Sequence, residues 1–176
     1  AFDTYLEYDL RPEDFAEDSR TSELIMHVLS TKKWFIEVDE FDRAERQMLN
    51  LGHTYGHALE SATDFAVPHG VAVALGCLGA ARHESSPQTG QTESLAEYVR
   101  DLLRPIRTTL AGQVDRLDWA AFDRAVATDK KGTRTAIRLV LPTASGGLGM
   151  VEVPRDDASL AEIRRSMGRA LAEVVE

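Results

Sequence analysis

Apolar residues return every three or four positions along most of this chain, which is the period of an amphipathic helix. Leu24, Ile25, Val28, Leu29 and Phe35 follow that spacing and predict a helix over residues 21–35, with Thr21 or Ser22 as its cap. Residues 1–8 read as the end of an earlier helix that stops near Arg11-Pro12, because the residue before a proline is pushed out of the α region. Pro12-Glu13-Asp14 suits the first turn of another. Further helices are predicted over residues 43–64 and 71–83. Another follows over 92–103, with Leu95, Ala96, Val99, Leu102 and Leu103 on one face. The next, over 117–127, is capped by Asp118 and turns Trp119, Phe122 and Val126 inward. The polar run ESSPQTGQT at 84–92 reads as a loop. Lys32 and Lys33 fall in the last turn of the first of these helices, where cations complement the helix dipole. The four acids between Glu37 and Asp42 read as helix N-terminal charge rather than as a metal site.

Beyond residue 132 the period changes. AIRLVL at 136–141 and LGMVEV at 148–153 flank PTASGG and predict a two-stranded hairpin. A last helix starts at Asp156 or Ser159 and runs to Val175, with Leu160, Ile163, Met167, Leu171 and Val174 on its face. The pattern therefore predicts a mainly α domain of six or seven helices with one hairpin, over residues 1–176.

One stretch breaks the bland amphipathic rule. Residues 49–70, LNLGHTYGHALESATDFAVPHG, hold three of the five histidines: His53, His57 and His69. On one continuous helix, Arg46, Asn50, His53 and His57 would form a polar stripe, with apolar residues over the rest of the circumference. Such a helix is normally buried, and a buried stripe of this kind is costly unless a ligand or metal satisfies it. His69 lies in the Pro68-His69-Gly70 break beside a helix start, where it can point back at its neighbours. Imidazoles from two adjacent elements suit a divalent metal, and catalytic zinc takes three protein ligands with one position open.

Composition narrows the function. Hydrophobic content of 43% and charged content of 28% are those of an ordinary globular chain. The net charge of −9 argues against a nucleic-acid surface. The single cysteine, Cys77, excludes an internal disulfide, fits a reducing, cytoplasmic setting, and reads as a small buried hydrophobe. No run approaches the ~18 apolar residues of a membrane helix, and no signal peptide opens the chain. The helix-like start without Met suggests that the chain begins inside a larger protein.

The run DExDxAxRxxLNLGHTYGHALE, then HG-x-AVALG, then DKK and IRLVLP, resembles the C-terminal domain of 3-dehydroquinate synthase and its sugar phosphate cyclase relatives. The resemblance implies a lyase that cyclises a sugar phosphate with phosphate elimination, in the shikimate pathway or secondary metabolism. It implies NAD, held by an N-terminal nucleotide-binding domain outside this chain, and a divalent metal, Zn²⁺ or Co²⁺, between the two domains. His53 and His69 then match two metal ligands, the third being a Glu of an AEVIK-type segment before residue 1. His57, Asn50, Arg46 and Lys32 match catalytic and substrate-contacting positions, and Lys130 or Lys131 would contact the substrate phosphate. Family members are commonly homodimers. The chain departs from the family pattern at Val71, Asp42 and Ala44, where an acid, Glu and Gly are usual. The resemblance also implies that residues 1–176 alone are catalytically inert. Two alternatives stay open: a metal-dependent alcohol or polyol dehydrogenase of the same superfamily, and a helical metal-binding domain without turnover.

Overall fold

A computed structural model describes residues 18–129 and 132–176, with side chains described from residue 22 onward. The expected helix end at 1–8 and the turn at 12–14 lie outside the described residues. The chain divides into two compact units, residues 1–49 and 50–176. Among the described residues no helix is long and apolar enough to cross a membrane.

In the first unit, helix α1 spans Asp18–Val38, longer at both ends than the predicted 21–35. Lys32 and Lys33 consequently lie a turn or more before its end rather than in its last turn, and Lys33 pairs with Glu37 at 3.5 Å on an exposed face. What stops the helix is Asp39. Its buried carboxylate accepts from the backbone amides of Arg43, Ala44 and Arg46 at 3.0, 2.7 and 3.2 Å. Those bonds, Arg43 first, hold its carboxyl below the usual aspartate range. Asp39 therefore caps the 3₁₀ turn Glu45–Asn50, as the reading of the acidic connector expected.

The predicted single helix over 43–64 does not form. The 3₁₀ turn ends at Asn50, Gly52 adopts φ +75°, and helix α2 runs only over His53–Ala62. The cause is a backbone crossing with helix α3, His69–Ala81. A Cβ on Gly52 would lie 2.6 Å from both the Cys77 nitrogen and the Val73 oxygen, and one on Gly56 would lie 3.0 Å from the Val73 Cα. A Cβ on Gly76 would overlap the Gly52 carbonyl. Only glycine supplies both the positive φ and the space.

Helix α3 is apolar all round, and Ala72, Leu75, Leu78, Ala80 and Ala81 have no exposed surface. It is the central element of the second unit, packing against α2, α4 (Gly90–Leu103), β1 (Ala136–Pro142) and α7 (Asp157–Val175). Helix α6, Trp119–Ala127, capped by Asp118 as predicted, buries Phe122 and Val126 and packs against α2 and α7. Helix α5, Arg107–Val114, escaped the sequence pattern because it buries Leu110 alone. Helix α4 starts at Gly90, two residues before the predicted 92, because Thr89 caps it and forms a reciprocal capping box with Thr92. Strand β1 pairs antiparallel with β2, Leu148–Pro154, in the register Ile137↔Val153, Leu139↔Val151. It buries Ile137, Leu139 and Leu141. The mainly helical fold with one hairpin is as the pattern predicted.

Two devices lock α7 to the core. Tyr55 on α2 meets Ser166 on α7 at 3.1 Å, and Ser166 donates to the Ile163 carbonyl, so both buried hydroxyls are satisfied. Arg82 and Arg100 share the carboxylates of Glu173 and Glu93: Arg82 donates to Glu173 at 2.5 and 2.9 Å, and Arg100 at 2.7 Å. Both arginines also reach Glu93, at 3.0 and 2.7 Å. The bonds from Arg82 hold the Glu173 carboxyl below the usual range, and those from Arg100 do the same for Glu93.

Two predictions follow from this packing, both read as urea midpoints of the intact gene product. Gly76→Ala lowers stability by about 1–3 kcal/mol through overpacking, whereas Gly90→Ala, whose Cβ meets nothing within 4 Å, is close to neutral. Equal midpoints for the two variants would remove the crossing from its central role. Because the folded value of Glu173 lies below the unfolded one, its stabilisation is complete above the ordinary glutamate range and is lost as pH falls through the lowered value. Glu173→Gln therefore makes the acid limb of stability against pH shallower. An unchanged limb would show that the cluster contributes nothing there.

Candidate metal centre

The site is assembled where α2 and α3 begin. His53 is the first residue of α2, and His57 follows one turn later on the same face, with ring centroids 5.5 Å apart. His69 is the first residue of α3, behind Pro68. Its ring lies 5.7 Å from each of the other two and stacks on His57 at 22°. The short connection between the helices brings it there. Asp64 and Phe65 both take left-handed backbone (φ 50° and 59°), the Phe65 amide donates to the Glu60 carbonyl at 2.8 Å, and Val67 is buried. Non-glycine residues enter that region at a cost, so the reversal is held by its surroundings.

Hydrogen bonds orient two of the rings. His53 Nδ1 lies 3.2 Å from the Leu51 carbonyl. A carbonyl only accepts, so Nδ1 carries the proton and the lone pair falls on Nε2. His69 Nδ1 lies 3.2 Å from both oxygens of Glu60. The same reasoning puts its lone pair on Nε2. His57 has no such anchor among the described residues. Donor atoms of His57, Glu60 and His69 all lie within 4.8 Å of one another. That set of two imidazoles and a carboxylate, with the His53 ring 5.5 and 5.7 Å from the other two rings, fits a divalent metal of the zinc or cobalt type.

The stripe read from the sequence is only partly assembled. His53 and His57 share a face, but the Gly52 turn separates them from Arg46 and Asn50 as helical neighbours. Nor are the histidines sealed in a core. His57 and His69 are exposed, because α2 buries the opposite side, Tyr55, Leu59 and Ala62, against α3 and α6. Asn50 closes the 3₁₀ turn and is half-buried. Lys32 and Arg46 belong to the first unit: Lys32 is exposed on α1, and Arg46 donates through Nη1 to the Glu40 carbonyl at 3.0 Å. Lys130 and Lys131 lie outside the described residues. Glu60 was missed in the sequence, although it stands three residues after His57, a spacing that shares a helix face.

A model of the 3-dehydroquinate synthase C-terminal domain matches residues 3–132. The chain belongs to that family. It is 30% identical over 162 residues to the 3-dehydroquinate synthase of Streptococcus sanguinis (strain SK36), covering 89% of this chain and 43% of that protein. It is 34% identical over 141 residues to the enzyme of Streptococcus pyogenes serotype M18 (strain MGAS8232), covering 79% and 39%. The chain thus spans about two fifths of the length of these relatives. Its fold is similar to that of 2-deoxy-scyllo-inosose synthase, with TM-score 0.51, 17% identity, and 74% of this chain and 34% of that one covered. A second crystal structure of that enzyme, with carbaglucose-6-phosphate, NAD+ and Co2+, matches with TM-score 0.52 and 18% identity over 74% and 36% of the two chains.

Cys77 takes no part in the site's chemistry. Its thiol sits 3.6 Å from the Leu51 carbonyl, and burial pushes it up to about 12. Cys77 is half-buried rather than sealed, so the raised thiol is what protects it: at pH 8 the native protein reacts more slowly with an aromatic disulfide reagent than the unfolded protein does. Equal labelling rates for native and unfolded protein would contradict this shift.

Proposed function

We propose that this chain is the metal- and substrate-binding half of a sugar phosphate cyclase, an enzyme that closes a sugar phosphate into a carbocycle with loss of phosphate. The single observation that supports it most is the convergence of His53, His57 and His69 at two helix starts, in a chain of the 3-dehydroquinate synthase C-terminal family. His53 and His69 are the proposed metal ligands. Both have Nδ1 tied to an acceptor and the lone pair on Nε2, the arrangement metal-ligating histidines adopt, while His57 lacks that tie. His57 is accordingly assigned to the substrate, where an exposed imidazole can hold or move a proton.

Arg46, Lys32 and a lysine at 130 or 131 supply fixed cations for the phosphate and any carboxylate, and Asn50 a hydrogen-bonding side chain for the sugar hydroxyls. When bound, the metal contributes Lewis acidity at a substrate oxygen and NAD contributes reversible hydride exchange. The third metal ligand and the NAD site are assigned to a nucleotide-binding domain beyond this chain, so residues 1–176 alone are expected to release no phosphate. A cytoplasmic homodimer is part of the same proposal. The complex of 2-deoxy-scyllo-inosose synthase with a sugar phosphate analogue, NAD+ and Co2+ supports the choice of substrate and cofactor classes.

The test uses the intact gene product with NAD, zinc and either 3-deoxy-arabino-heptulosonate 7-phosphate or sedoheptulose 7-phosphate, following inorganic phosphate. Release is expected with one of them, falling by about 10²–10³ in His53→Ala, the usual loss for one electrostatic stabiliser of a transition state. Metal and NAD binding without release from either sugar would turn the assignment toward the dehydrogenase alternative.

A further inference from the structure

Resting on the metal-centre reading, we propose that Glu60 is the positioning residue of that centre: it orients His69 through Nδ1 and does not itself bind the metal. The geometry is specific. Both carboxylate oxygens stand 3.2 Å from His69 Nδ1, so one N–H is shared between them. The two side chains differ sharply in environment: Glu60 is 13% exposed and His69 57%. A carboxylate so covered needs a donor, and among the described residues His69 is the one that serves it. His69, in contrast, opens α3 behind Pro68 on an exposed rim, where its ring stacks on His57 and Glu60 supplies the hydrogen bond that orients it. Without Glu60 the imidazole would sample several rotamers, and ordering it would be charged to metal binding. With Glu60 in place, Nε2 is the nitrogen left to coordinate.

The carboxylate does for His69 what the Leu51 carbonyl does for His53. The two proposed ligands thus share one design, an acceptor behind Nδ1 supplied by α2 or by the turn that precedes it. The competing role for Glu60 is direct ligation, since its oxygens and donor atoms of His57 and His69 lie within 4.8 Å. The two roles differ in coordination number and are separable by spectroscopy.

The experiment titrates the metal-free intact gene product with Co²⁺ against a chromophoric chelator, for wild type and Glu60→Gln. The expected result is a Co²⁺ dissociation constant raised about 10–100-fold, with the visible ligand-field bands at saturation unchanged in position and intensity. The urea midpoint of the metal-free variant stays at the wild-type value. Should Glu60→Gln fail to fold, Glu60→Asp, which keeps the charge but withdraws it by one methylene, carries the same comparison. Equal Co²⁺ affinity in variant and wild type overturns the proposal. Weaker binding with altered bands also overturns it, because Glu60 is then a ligand. A wild type that takes up no Co²⁺ sinks the metal-centre reading itself, an outcome distinct from either.

Discussion

The backbone crossing of Gly52 and Gly56 on Gly76 is the constraint on which the rest of the second unit depends. The start of α2 and helix α3 approach so closely that no Cβ fits at Gly52 or Gly76 and one at Gly56 would be tight. That closeness places the starts of both helices side by side, and it is the starts that carry His53, His57 and His69. A wider spacing with ordinary side chains in the interface would separate the imidazoles beyond the reach of one ligand. Close packing thus fixes chemistry here, since interiors this dense transmit a small displacement rather than absorb it.

Around that crossing the polar groups are arranged so that few are left to choose their own geometry. Asp39 collects three backbone amides, and Tyr55 is tied to Ser166. Arg82 and Arg100 divide two carboxylates between them at the junction of α3, α4 and α7. The same economy reaches the candidate metal centre, where two of the three imidazoles have one nitrogen committed. The exposed His57 is the one left uncommitted among the described residues, in keeping with a group that meets a substrate. The histidines face outward from α2 because its opposite side, with Tyr55 and Leu59, supplies the core. An open rim of this kind is what a half-site needs if the remaining ligands arrive from another domain.

Amphipathic periodicity located α4, α6, α7 and the hairpin to within a few residues, because each has a single buried face and a clear stop. It failed for α5, which buries only Leu110, and for residues 43–64, where it saw a continuous helix. The warning was Gly52 itself, a glycine inside a helical pattern, whose left-handed backbone was not recognised. That error also fused Arg46 and Asn50 with the histidines into one helical stripe, which the turn interrupts.

What the sequence determined alone was the inventory. Its periodicity set a mainly helical domain, and the spacing of four between His53 and His57, with the Pro-His-Gly break that follows, marked a convergent site. Family motifs pointed to the family, which a match over residues 3–132 bears out. Only the tertiary structure decided which groups meet. The approach of His69 to the other two rings depends on a helix crossing and a left-handed reversal at Asp64 and Phe65. The pairing of Glu60 with His69 is likewise a contact between two helices. Local pattern reports the period of one element at a time, and a distance between elements is set by packing, which that period does not contain.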